Sequence, residues 1–305
     1  MSVRTKAARK AIWIANGAVN LFVLTLILLL LTFSCYAIWD SNQIYSAASS
    51  SNYELYKPTA ENEGLSFAEL QALNQDVFAW LTVYGTNIDY PVVQGENNIR
   101  YINTDARGRH SLSGAIFLDY RSGPNFSDFS SILYGHHMQN QVMFGEIELF
   151  SERSYFDTHR YGRLYVDGKE RGLEFFAFLH ADAYDLGVFR VNITEREEQQ
   201  AYLDLLMEMA VHSRQDASVG VDAQIVLLST CSPGGGNGRD ILAAKITDTV
   251  HRDPFETEET ESPRAIPVID ELARAPSWMK ISLAAMTFLL IVLVLILTYT
   301  KGKGR

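Results

Sequence analysis

Cysteine is nearly absent: the 305 residues contain two. Cys35 lies inside a long uncharged apolar run, which leaves Cys231 without a partner and excludes an internal disulfide framework. No group of His, Cys and carboxylates has metal-ligand spacing, so neither zinc nor any cofactor is expected. Positive charge is scarce between the termini. Arg4, Lys6, Arg9 and Lys10 at one end, and Lys280, Lys301, Lys303 and Arg305 at the other, account for eight of the 26 Lys and Arg. The other 18 face all 36 acids. So acidic a middle repels polyanions, which excludes nucleic acid as a partner. No internal repeat is visible, which excludes solenoids and propellers.

Two apolar runs stand out. Residues 18–39 carry no charge and match the roughly 20 residues that cross a bilayer as a helix. The run exceeds the ~7–15 residues of a signal-peptide core, and no clean small-x-small cleavage site follows. Thr32-Phe33-Ser34-Cys35 only loosely resembles a lipoprotein box, so Cys35 is taken as membrane filler. Residues 281–298 form the second run, with Trp278 and Tyr299 as interfacial anchors. The cations, Lys280 apart, lie beyond the outer ends of the runs. By the positive-inside rule both termini are cytoplasmic and the bilayer is a partner. The expected layout is a basic N-terminus (1–17), a transmembrane helix (18–39), an extracytoplasmic stalk (40–65) and a domain (66–250). An acidic linker with four prolines (251–277), a second transmembrane helix (278–300) and a cytoplasmic tail (301–305) complete it.

Within the domain, Ser66 is placed to cap a helix carrying Phe67, Leu70, Leu73 and Val77, with Glu69 completing a capping box. Strand patterns follow at 79–84, 88–93, 114–119, 131–134, 163–167, 173–181, 225–230 and 241–247. Helical segments are expected at 99–102, 143–150 and, most clearly, 195–210. Short strands separated by turns, with a few helices between, predict a closed mainly-β barrel with peripheral helices, not βαβ layers.

Cys231 ends the apolar run 225–228, and Arg239 follows eight residues later across the glycine-rich segment Ser232 to Gly238. A buried small hydrophobe is the plain reading of such a cysteine. A nucleophilic thiol needs a proton carrier, usually His, and a donor for the oxyanion that forms; an always-charged guanidinium supplies the second. His136 is the candidate base, although nothing in the spacing brings it near Cys231. On a strand, His136 and His137 point to opposite faces. The glycine segment either closes on a ligand or is a permissive turn.

Five segments in chain order resemble the sortase family. Leu228-Ser229-Thr230-Cys231 with Arg239 resembles its cysteine signature, and Leu133-Tyr134-Gly135-His136-His137-Met138 its histidine segment. Ile88 to Gln94, Gly114 to Arg121 and Met143-Phe144 resemble class B members. The resemblance covers about residues 78–246. It implies an eight-stranded β-barrel and a membrane-anchored cysteine transpeptidase of the kind found mostly in Gram-positive bacteria. Such an enzyme cleaves an LPXTG- or NPXTX-like sorting signal of a secreted protein through a thioacyl-enzyme. An amine of a cell-wall precursor then takes the acyl group or, in the alternative, a pilin lysine does. By position the resemblance implies Cys231 as nucleophile, His136 as acid/base and Arg239 as oxyanion donor. Tyr134, Ser229, Thr230, Asn98, Val188 and Phe189 are the expected substrate-binding residues.

The second apolar run departs from the usual class B pattern. A doubly anchored, non-catalytic scaffold is the reading from another class, and a hydrolase using water as acceptor is the third. Asp182 and Asp185 are minor candidates for calcium. His110, His159, His180, His212 and His251 are expected on the surface or in loops.

Overall fold

The computed structural model describes residues 3–58, 65–232 and 236–256. The 281–298 run and most of the acidic linker lie outside these residues. Helix α1 (Val3–Ala48) is the one helix among the described residues long and apolar enough to cross a membrane. Three hydroxyls within its apolar run are satisfied by the helix itself. Thr25, Thr32 and Ser34 each donate to the carbonyl four residues back at 2.8 Å, which suits them to an apolar surrounding. The helix does not stop at residue 39. The first third of the expected stalk continues it to Ala48, and a 3₁₀ turn (Ser50–Tyr56) then docks on the domain. Helix α2 (Leu65–Leu73) includes Ser66 within it, so Ser66 is not its cap, and Val77 already belongs to the first strand.

Nine strands follow: β1 (Val77–Val83), β2 (Asp89–Val93), β3 (Ile116–Leu118), β4 (Ser130–Tyr134), β5 (Tyr161–Val166), β6 (Lys169–Asp182), β7 (Ala210–Ser213), β8 (Gln224–Cys231) and β9 (Gly238–Thr247). Eight close into a barrel in the order β1-β2-β3-β4-β8-β9-β6-β5, with β5 returning to β1. β6 is long enough to serve two neighbours on one edge. Its first half pairs with β5 through the two-residue Asp167-Gly168 turn, and its second half carries β7. β7 had no clear period in the sequence; nor had helix α3 (Arg153–Thr158). The helix expected at 143–150 is a 3₁₀ segment over Gly145–Ser151.

The strands nearest the site are covered on both faces, which is why they read as unbroken apolar runs. Val226, Leu228, Leu242, Ala244 and Phe175 fill the barrel. Ile225, Leu227, Ile241 and Ala243 face outward, under helix α4 (Arg196–Met209). α4 meets them with Tyr202, Leu203 and Leu206, and Glu197 and Glu198 sit in its first turn, where the helix dipole favours acids. Tyr202 adds a 2.7 Å hydrogen bond to the Val188 carbonyl. Leu206 is fully buried, so Leu206→Ala is expected to cost about 2–4 kcal/mol, read as a lower denaturant midpoint.

Candidate active site

β4 and β8 run parallel, with Tyr134 opposite Ser229. The Gly135 N–H extends the ladder by donating to the Ser229 carbonyl at 3.2 Å. His136 is the next residue on one side, and Cys231 is two beyond Ser229 on the other. On the far edge of β8, Cys231 is the direct antiparallel partner of Arg239. Histidine, cysteine and arginine therefore share one end of three adjacent strands, spaced about 4.8 Å apart. The histidine's position, which spacing left open, follows from this parallel pairing across nearly a hundred residues of chain.

The His136 imidazole is half-buried, and its Nε2 lies 2.9 Å from the Ile102 carbonyl. A carbonyl only accepts, so Nε2 carries the proton and Nδ1 is the nitrogen left to exchange one. Two glycines allow the contact. At Gly135 an added Cβ would come within 2.6 Å of Ile116 and 2.7 Å of Phe144. Gly114 has φ +60°, and a Cβ there would meet the Ile102 carbonyl oxygen at 2.6 Å. His137 is engaged elsewhere, its Nε2 3.0 Å from the Glu148 carboxylate.

Arg239 is half-buried, donates to the Gly238 carbonyl at 2.9 Å and pairs with no carboxylate among the described residues. The next residue, Asp240, is buried and accepts from Ser232 Oγ at 2.6 Å and from His180 Nδ1 at 2.8 Å. The Ser232 N–H also donates to the Gly238 carbonyl at 3.0 Å. The glycine segment is thus closed at its base, which holds Cys231 and Arg239 opposite one another.

Beside this row is a buried carboxylate that sequence reasoning missed. Asp119 is fully buried and accepts five hydrogen bonds. They come from Arg121 Nε and Nη2 (both 2.8 Å), the Arg121 N–H (3.0 Å), Asn98 Nδ2 (3.0 Å) and the Tyr134 hydroxyl (3.1 Å). Burial alone would raise its pKa; the donors outweigh it and hold the carboxyl below the usual range. Burial, and then the Asp119 charge, push Tyr134 well above an ordinary tyrosine, which keeps it a neutral donor. Asn98 is fixed at both ends, since its Oδ1 accepts from the Tyr120 N–H at 3.0 Å. Phe189 stacks on Tyr134 at 6.4 Å, and its carbonyl accepts from Arg121 at 3.4 Å. Asn98, Tyr134 and Phe189 thus form one cluster. The available signal was the Asp-x-Arg spacing at the end of β3.

Other expected residues do not join it. Val188 is fully buried beneath α4, so its side chain offers nothing to a ligand. Ser229 and Thr230 are closed to solvent, at 1% and 2% exposure, and belong to the buried strand below Cys231. Asp182 and Asp185 accept from the N–H groups of their own turns at 2.8 Å, at Tyr184 and Gly187. His159 is buried, stacked between Tyr155 (3.7 Å) and Phe255 (4.6 Å), rather than at the surface.

No family model matches the chain. It is similar to Sortase B of Staphylococcus aureus, 30% identical over 184 residues, covering 59% of this chain and 74% of that protein. Among solved structures it is similar to sortase B from the Type II pilus of Streptococcus pneumoniae. That match is 48% identical with a TM-score of 0.53, and covers 60% of this chain and 99% of that one. A Streptococcus pyogenes class B sortase involved in pilus biogenesis is 39% identical, with a TM-score of 0.55, over 60% and 99%.

Asp119 supplies a pH test. With its folded pKa depressed, its contribution is complete above the ordinary aspartate value of 3.8 and is lost as pH falls through the lower folded value. Asp119→Asn is expected to cost about 1–3 kcal/mol at neutral pH. In denaturation measured against pH, the gap between wild type and variant should hold down to the ordinary aspartate value and close only below it.

Proposed function

The chain belongs to the sortase family and is class B-like, and on that premise we propose that His136, Cys231 and Arg239 carry out a transpeptidation on a sorting signal. The observation that carries the reading is the row itself: a histidine, a cysteine and an arginine that pairs with no carboxylate among the described residues, side by side across β4, β8 and β9.

Nδ1 of His136 takes the Cys231 thiol proton as the sulfur attacks the threonine carbonyl of an LPXTG- or NPXTX-like signal, and the carbonyl electron pair moves onto oxygen. Arg239 donates to that oxyanion, and among the described residues no carboxylate competes for its guanidinium. As the C–N bond breaks, Nδ1 of His136 delivers a proton to the leaving amine. A second amine attacks the thioester, loses its proton to Nδ1 and displaces the thiolate. Nδ1 is assigned because Nε2 is spent on Ile102. Asn98, Tyr134 and Phe189 line the substrate side, held by Asp119 and Arg121.

The acceptor is either a cell-wall precursor amine or a pilin lysine. The pilin lysine is favoured by the identities: 48% and 39% to the two pilus enzymes, against 30% to the S. aureus protein. The chain is read as a two-pass membrane protein with both termini cytoplasmic and the barrel outside, α1 being one of the two spans.

Intact-mass spectrometry of the chain with a panel of both signal types tests the reading. A mass gain equal to the acyl half of one peptide is expected, absent in Cys231→Ala. Arg239→Ala should lower turnover about 10²–10³-fold, and His136→Ala about 10²–10⁴-fold. His137→Ala should retain most activity. Loss of turnover in His137→Ala alone would move the base to that residue. A lysine peptide that raises the yield of ligated product over hydrolysed product identifies transfer.

A further inference from the structure

The end of the membrane helix reaches both of the loops that hold His136. Tyr90, on β2, is 2% exposed. Its hydroxyl donates to the carbonyl of Ala48, the last residue of α1, at 3.0 Å, and accepts from the Met143 N–H, also at 3.0 Å. Met143 forms a bridge with His137, and the N–H of the following residue, Phe144, donates to the His136 carbonyl at 3.0 Å. Met143 is held at φ +54°, a left-handed conformation that is uncommon outside glycine and relaxes unless its surroundings fix it.

The second connection runs through the loop that supplies the Ile102 carbonyl. Arg107 of that loop lies over the rings of Tyr53 and Tyr56, at 5.0 and 5.5 Å, and donates to the Asn52 carbonyl. Asn74 joins its backbone at Ala106 to the Tyr101 hydroxyl, with 3.0 Å bonds to both, one residue before Ile102. Lys57 closes the docked segment by pairing with Asp89, Tyr90's neighbour.

We propose that residues 48–57, where α1 ends and docks, are a positioning element for His136, acting through Tyr90 on the histidine loop and through Arg107 on the Ile102 loop. The proposal rests on His136 being the acid/base. It makes the anchor part of the catalytic arrangement: undocking the segment moves the imidazole without touching substrate.

The test uses the full chain in lipid nanodiscs. Tyr90→Phe removes both hydrogen bonds at nearly constant volume; Arg107→Ala releases the segment from the other side. Each is expected to lower kcat about tenfold, since small misplacements of a catalytic group are costly, with KM within about twofold. The double variant should fall short of the product of the two, because both act through one segment. The His136 imidazole resonance, identified by its loss in His136→Ala, should shift in both variants. Unchanged kcat and resonance in both, or fully multiplicative losses, would overturn the proposal. If the wild type forms no acyl-enzyme, the transpeptidase reading fails separately, and the imidazole resonance alone decides: a shift supports the positioning role, an unmoved signal sinks it.

Discussion

Five residue pairs join β4 to β8, from Ser130 with Ile225 to Tyr134 with Ser229. A slip of one residue would turn every side chain of one strand to its other face. It would also put Gly135 or His137, in place of His136, level with Cys231. Burial forbids the slip. Ile132 and Leu133 on β4, and all of 225–228 on β8, are fully buried, with alternate residues committed to the barrel interior and to the α4 layer. A slip would exchange the two layers, and each side chain forced into a space shaped for another typically costs about 1–3 kcal/mol. The hydrophobic layers thus set the register, and the register sets the site.

Electrostatics divides the site in a complementary way. Arg100, Arg109, Arg121, Arg160 and Arg163 all end on carboxylates, as expected where acids outnumber bases. Among the described residues Arg239 does not, although the buried Asp240 is its neighbour in sequence. Asp240 instead accepts from Ser232 and His180. An antiparallel strand alternates faces, so consecutive residues cannot readily pair. That simple geometry leaves a cation available beside the cysteine, and the adjacent carboxylate fastens the loop that follows it.

The sequence displayed the parts of the site that are local and hid those that are not. Cys231 and Arg239 were legible as a pair because a short glycine-rich segment joins antiparallel strands. The barrel was legible from strand periodicity, and most strand positions agree within a few residues. The neighbourhood of His136 and Cys231 was not, since a parallel pairing leaves no short-range mark. Neither was the Ile102 carbonyl, because a backbone acceptor has no residue signature. Asp119 is a plain acid in sequence; its role depends on donors from positions 98, 121 and 134. Val188 was misplaced for a related reason. A Val-Phe pair in a loop gives no sign that one member turns under α4 while the other stacks on Tyr134.

The two halves of the row are built on opposite principles. Cys231 and Arg239 terminate regular strands whose ladder fixes them with ordinary backbone geometry. His136 precedes a loop in which Asn140, Gln141 and Met143 all adopt positive φ. Each such residue costs up to about 1–2 kcal/mol, least for asparagine. A loop of that kind holds its shape only while outside contacts offset the cost. Here they come from Tyr90 on Met143, from Phe144 on the His136 carbonyl and from Ile102 on the imidazole. The geometry of His136 thus depends on the less regular scaffold, and so on how firmly the end of α1 is docked.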